Sequence, residues 1–265
     1  SKNQLAEVVV ASKRKDDNLT KAQIGTETLN MQSISKVPVI FGEKDVLKTI
    51  QLLPGVKSAG GGNSGFYVRG GAADQNLILL DEAPVYNASH LLGFFSTFNS
   101  DAIKDATLIK GNGPAQYGGR LSSVLDVKMK DGNNKNYTVN GGLGLISSRL
   151  SIEGPIQEDK SSFILSGRRT YADVFLKATE KFKDNILYFY DLNAKANYQI
   201  NAKNKIYVSG YFGRDIFSLN ESFTNTYGNT TLNLRWNHLF NDKLLGPFFI
   251  VFDSKVSDVW WNPYQ

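Results

Sequence analysis

The sequence predicts two parts in series: a small mixed α+β unit, then antiparallel strands of a transmembrane β-barrel. Three observations carry this. Between Gly65 and Lys128, short apolar runs alternate with glycine-rich turns. From Tyr137 onward the chain alternates apolar and polar residues with period two, segment after segment. A soluble β-sandwich also alternates, but those segments are about 9–13 residues long, the length that a tilted membrane strand needs.

The leading segment, residues 1–20, reads as a short β-prone run and a polar tether. Glu7-Val8-Val9-Val10-Ala11 favours an extended backbone because β-branched side chains are stiff at χ1. Such a run can add a strand to the sheet edge of another protein or can be an ordinary first strand. The first residues are polar, and no secretory leader is visible.

The second segment spans 21–132. Val37 to Phe41 is β-prone and is interrupted by Pro38. Glu43 to Leu53 predicts a helix, with Val46, Ile50 and Leu53 on one face and acids in the first turn. Pro54-Gly55 ends it. Strands are predicted at Gly65–Arg69, Asn76–Asp81, Ala106–Ile109 and Ser122–Met129, with a short helix over Asp101 to Asp105. Leu91 to Phe98 is apolar and aromatic, suited to a loop packed on a wall or to a tip that meets ligand.

The third segment, 133–243, holds the alternating strands. In the clearest, Tyr190, Leu192, Ala194, Ala196 and Tyr198 share one face, and Asp191, Asn193, Lys195 and Asn197 the other. Ile164 breaks the alternation of its own strand. Short connections (157–160, 201–204, 241–243) alternate with longer ones at Tyr171–Leu187 and Ser218–Gly228, as turns and loops do at opposite rims of an outer-membrane barrel. The last segment, 244–265, departs from the pattern. Leu244 to Phe252 is apolar on both faces, and Trp260 to Gln265 has no clean period. Six or seven strands cannot close around a unit of roughly 130 residues. The expectation is therefore a fragment of a longer barrel, or a tail that is not barrel sequence.

Composition excludes several classes. With no cysteine, a disulfide scaffold and a cysteine-ligated zinc site are out. The net charge of +5 is spread thinly, without the aromatic–basic interleaving of a nucleic-acid surface, so no nucleic-acid partner is expected. The two histidines, His90 and His238, are far apart, which leaves no metal spacing. Asp81-Glu82 points its carboxylates to opposite sides, and Ser122-Ser123 has no nearby histidine. No enzyme, cofactor or metal is predicted. Arg69 and Arg120 each lie by a glycine turn within apolar context; each is either a surface arginine or a buried guanidinium that pairs with carboxylates of a surrounding wall.

Phe66–Gly71, Leu79-Leu80-Asp81-Glu82-Ala83-Pro84-Val85-Tyr86, Ile103–Gly111 and Pro114–Val127 together resemble the plug domain of TonB-dependent outer-membrane receptors, in the Bacteroidetes form. The resemblance runs from about Glu7 to Met129. Tyr137 to Asn241 resembles the first strands of that family's 22-stranded barrel. The resemblance implies an α+β plug, a small mixed sheet with short helices, followed by a truncated 22-stranded transmembrane β-barrel. It implies ligand-gated import across the bacterial outer membrane, with outer-membrane lipid around the wall and TonB as the energy-transducing partner. Glu7, Val8, Val9, Val10 and Ala11 match the TonB box. Arg69 and Arg120 align with plug arginines that face barrel carboxylates in an ionic lock. Ligand contacts are expected at Asp74, Gln75, Tyr86, Asn87 and His90. Siderophore, cobalamin, oligosaccharide and peptide all stay open as ligands. The alternative is a truncated envelope subunit that binds but does not transport.

Overall fold

A computed structural model gives the fold and describes residues 25–34, 43–60, 64–111, 113–180, 182–219, 223–241 and 244–261. The Glu7–Ala11 run and the Val37–Phe41 run lie outside the described residues. Among the described residues, nine short strands form the N-terminal unit: β1 (Thr26–Asn30), β2 (Val56–Ser58), β3 (Phe66–Val68), β4 (Asn76–Leu80), β5 (Ala83–Pro84), β6 (Ser89–His90), β7 (Phe95–Ser96), β8 (Ile103–Lys110) and β9 (Ser123–Met129). Five of them make a mixed sheet in the order β1-β8-β9-β4-β5, with β4 and β9 parallel and the other pairs antiparallel. A parallel pair needs a long crossover, and here residues 81–122 supply it.

The helix is shorter than expected, Val46–Ile50, because Asp45 caps it: its carboxylate accepts the Lys48 N–H at 3.0 Å. Val46, Leu47 and Ile50 then bury into one core with Phe66, Val68, Phe98, Leu108 and Leu125. The helix expected over Asp101 to Asp105 does not form. Ile103, Ala106 and Leu108 are buried on β8, which pairs with strands on both sides. Two-sided pairing and burial override the weak helical spacing of two aspartates.

Gly132 carries the chain to the wall. It sits at φ +82°, and a Cβ there would overlap the Phe163 carbonyl, so a side chain is excluded twice over. The wall is one antiparallel sheet of seven strands in sequence order: β10 (Thr138–Leu143), β11 (Ser147–Gln157), β12 (Ser161–Thr170), β13 (Ile186–Asn201), β14 (Asn204–Leu219), β15 (Phe223–Asn241) and β16 (Leu244–Trp261). The alternation holds. Asp191, Asn193, Lys195 and Asn197 are buried toward the N-terminal unit, while Leu192, Tyr198, Leu232 and Trp236 stand exposed on the other face. Ile164 points inward and is buried.

Two expectations for the wall are corrected. Residues 244–261 are not an aberrant tail: they form β16, paired along β15 from Leu244 opposite Asn241 to Trp261 opposite Phe223. Backbone hydrogen bonds need no alternation, and Phe248, Phe249, Ile250 and Val251 are strong strand formers. The connection expected at Ser218–Gly228 shrinks to three residues, because β14 and β15 run for 16 and 19 residues. Their Thr, Tyr and Asn residues extend the ladder well beyond the span a membrane requires. No helix among the described residues is long and apolar enough to cross a membrane, which says nothing of strands.

Candidate functional site

The site is the seam between the N-terminal unit and the inner face of the wall. That unit has its own apolar core, to which the wall adds Tyr211 alone among the fully buried members. The seam itself is built largely from charged and polar groups, with one apolar patch where Leu91 and Phe95 pack on Phe189 of β13, and each buried charge in it needs a partner.

At one level, wall arginines meet acids. Arg168 of β12 is buried and donates from Nε and Nη2 to Asp191 of β13 at 2.8 and 2.6 Å, and from Nη2 to the Ser96 carbonyl at 2.8 Å. Glu43 lies 3.8 Å from Arg168 and 3.6 Å from Arg149, and accepts the Ser147 hydroxyl at 2.6 Å. Arg149 also faces Asp101 at 2.9 Å.

At another level, the two-residue turn Asp81-Glu82 joins β4 to β5. Both residues adopt positive φ, 46° and 71°, a conformation that Asn-Gly supplies more readily in a hairpin turn. The wall holds this turn. Lys195 of β13 sits 3.0 Å from Asp81 and 2.9 Å from Asp131, and donates to the Met129 carbonyl at 3.0 Å. Asp81 accepts the Met129 N–H at 3.0 Å through its other oxygen. Arg235 of β15 binds Glu82 at 2.8 Å and lies over the Tyr207 ring, and Asn233 donates to Glu82 at 2.9 Å. Lys128 completes the cluster between Glu82 at 2.6 Å and Asp126 at 3.1 Å. Burial works against the Glu82 carboxylate, but Lys128 and Arg235 outweigh it and hold its pKa below the ordinary 4.5. For Asp126 burial wins, and its pKa rises.

Among the described residues, Arg69 and Arg120 meet no wall carboxylate. Both are exposed. Arg69 adopts φ 49° and turns its guanidinium back beside Gly25 and Gly111, while Arg120 donates to the Gly119 carbonyl. In the seam observed here the polarity is largely reversed: the N-terminal unit supplies most of the acids, and the wall supplies Arg149, Arg168, Lys195 and Arg235. The sequence places Lys195 on the polar face of its strand without marking it for a role. The signal was present, since an ionisable residue in a membrane strand marks a functional position.

The expected ligand residues separate. Asp74, Tyr86 and Asn87 line one cavity of about 220 Å³ with Ser64 and Phe66. Tyr86 and Asn87 also line a larger one of about 490 Å³, with Leu92, Tyr227 and Lys255. Asn87 is tied to the wall, donating its N–H to Asn229 at 3.3 Å and accepting from it at 2.7 Å. Gln75 points elsewhere and accepts the Ala72 N–H, closing its own turn. His90 is 1 % exposed and belongs to the seam rather than to a ligand surface. Burial disfavours its charged form, but Asp191 and Asp215 outweigh that and raise its pKa above 6.5.

The comparisons agree with this division. The TonB-dependent Receptor Plug Domain family matches residues 20–124. Among solved structures, the siderophore receptor PirA from Pseudomonas aeruginosa is 17% identical with a TM-score of 0.67, over 89% of this chain and 41% of that one. PirA from Acinetobacter baumannii is 16% identical with a TM-score of 0.66, over 89% and 40%. The alcaligin outer-membrane receptor FauA from Bordetella pertussis is 13% identical with a TM-score of 0.61, over 88% and 39%. No curated protein matches the chain. The chain thus spans about two fifths of the length of these receptors. Residues 20–124 thus match the plug-domain model of TonB-dependent receptors, and the chain as a whole shares the fold of part of these receptors.

Proposed function

We propose that this chain is the gate and the first part of the wall of a TonB-dependent importer in the bacterial outer membrane. The observation that carries the reading is the seam: a matched plug with its own core, seated by ion pairs on the polar face of strands whose other face is apolar. Such a plug is located by its charges and can move as a unit. In this reading the complete wall has 22 strands, the protein is of the Bacteroidetes form, and Glu7–Ala11 is the segment that TonB grips by strand addition.

Ligand enters on the side of Tyr86, Asn87 and Leu92. The cavity of about 490 Å³ is within the range of small-molecule sites. Two tyrosines and a leucine offer flat apolar surface, and Lys255 offers a positive charge, so the lining suits an anionic ligand with an aromatic or flat apolar part. The solved relatives include siderophore receptors and a copper transporter, which makes a chelated metal the first class to test.

The test is accumulation by cells carrying the full-length receptor, against a panel of ferric siderophores, cobalamin, oligosaccharides and peptides. One class should accumulate, and accumulation should stop with Val9→Pro or on collapse of the proton gradient while surface binding persists. Proline removes the N–H that strand addition uses. Accumulation indifferent to both perturbations would overturn the reading.

A further inference from the structure

The hairpin from Ser89 to Ser96 carries three consecutive residues in the left-handed region: Leu91 at φ 47°, Leu92 at 58° and Gly93 at 104°. Glycine adopts this freely, but two leucines do not, and such a turn persists only where its surroundings over-determine it. The surroundings here are named. Asp215 of β14 accepts the Leu91 N–H at 2.7 Å. The Tyr227 hydroxyl accepts the Leu92 N–H at 3.1 Å, and Ser64 donates to the Gly93 carbonyl at 2.6 Å. The result is that Leu92 stands exposed and lines the pocket with Tyr86 and Tyr227.

The same Asp215 takes the preceding residue as well. His90 Nδ1 lies 2.5 Å from its second oxygen. The imidazole is stacked on Phe189 with centroids 4.1 Å apart, and its Nε2 faces the Tyr211 hydroxyl at 3.0 Å and Asp191 at 3.6 Å. Arg168 already serves Asp191, so His90 is the cation facing Asp215 among the described residues. The wall is shaped for this contact. A Cβ on Gly213 would overlap the Tyr211 hydroxyl and come within 3.1 Å of the His90 ring.

We propose that His90 and Asp215 form a latch: they are positioning residues that hold the Leu91–Gly93 turn in the shape that builds the ligand pocket, so that pocket occupancy and latch opening are coupled. The coupling rests on the importer reading; the latch geometry does not. Because one carboxylate holds both the imidazole and the turn, a ligand that displaces Leu92 pulls on the plug–wall bond directly.

The latch depends on protonation of His90. The groups that face it are Asp215 and Tyr211 from β14, and Asp191 with the Phe189 ring from β13. Behind these stand Arg168 of β12, Tyr227 of β15 beside Asp215, and Glu43 of the plug beside Arg168. The latch is held while His90 is protonated and slackens as pH rises through its raised pKa.

Amide hydrogen exchange on the full-length receptor in detergent, from about pH 6 to about pH 10 and corrected for intrinsic rates, tests this. The Leu91 and Leu92 amides should exchange at least about tenfold faster in Asp215→Asn and His90→Gln than in the native protein, with β8 and β9 unchanged. Corrected exchange should rise as pH passes upward through the raised His90 pKa in the native protein and stay flat in His90→Gln. Equal rates in all three proteins, a common pH profile, or uniform acceleration across the plug would each overturn the latch. If Asp215→Asn does not fold, His90→Gln and the native pH profile decide alone. A receptor that imports nothing but shows this local, pH-dependent exchange keeps the latch and loses the gate reading; the converse result loses the latch only.

Discussion

Lys195→Met tests whether the seam locks the plug. The Lys195 and Asp81 side chains are each 3 % exposed and 3.0 Å apart, so the substitution strands a carboxylate inside the protein. Asp81 keeps the Met129 N–H at 3.0 Å, while Asp131, at 42 % exposed, is compensated by water. Breaking a buried pair from one side costs about 3–5 kcal/mol, and the retained hydrogen bond places the expected loss near about 3 kcal/mol. That is roughly a hundredfold in the opening equilibrium of the plug. The second substitution is Asp81→Asn, chosen because asparagine tolerates the φ of 46° and keeps an acceptor for Met129. The double variant should recover about 2 kcal/mol, since the loss comes from an uncompensated charge rather than from missing attraction. The assay is hydrogen exchange at the Met129 amide in the full-length receptor, which reports opening where the pair sits. A loss below about 1 kcal/mol would place Lys195–Asp81 among pairs as weak as those on a surface and would refute the lock.

Other outcomes follow from the same geometry. Arg69→Ala should change plug stability by no more than about 0.5 kcal/mol, because the side chain is exposed and makes no ion pair with the described strands; denaturant titration of the full-length receptor checks it. Gly132→Ala meets both a positive φ and the Phe163 carbonyl, so the junction must shift; reduced yield of heat-modifiable, folded receptor is expected, and native yield would refute the close approach. The lowered Glu82 pKa gives a stabilisation that is fully present above about pH 4.5 and fades as pH falls through the lower folded value. Asp126 shifts the other way, so the comparison of native protein with Glu82→Gln isolates Glu82: the difference in plug stability should shrink in acid.

Much of this molecule was legible in its residues because its two halves use different periods. Where one face of a strand meets the plug and the other is apolar, alternation appears in the sequence, and Asp191 to Tyr198 declares its own inside and outside. The sheet strands β3, β4 and β9 were legible from short apolar runs between glycine turns. What failed did so for lack of a local signal. Ile103 to Asp105 became strand through neighbours that lie far away in sequence, and β16 is held by a ladder that needs no alternation. Glycine pairs made Arg69 and Arg120 conspicuous, whereas Lys195 looked like an ordinary polar-face residue. Nothing within five residues of Lys195 shows that Asp81 will arrive from more than a hundred positions upstream.

The choice of ion pairs for the seam has a mechanical consequence. A buried ion pair roughly breaks even against well-packed apolar groups of similar volume, yet is costly to leave half made. A plug seated on apolar contacts would gain free energy from every square ångström of wall, and no modest signal could release it. A plug seated on charges gains little net free energy but is penalised heavily for any register in which one carboxylate misses its cation. Most of the apolar core of this plug lies within the domain, Phe66, Phe98, Leu108 and Leu125 among it, and the wall reaches apolar groups only through Tyr211 and the patch of Phe189 on Leu91 and Phe95 among the described residues. The wall is otherwise addressed through Glu43, Asp81, Glu82 and His90. For the proposed gate, a unique closed position and a limited hold upon it would thus be met by the same residues, and the strained turns at Asp81-Glu82 and Leu91-Leu92 lie where the wall's grip is applied.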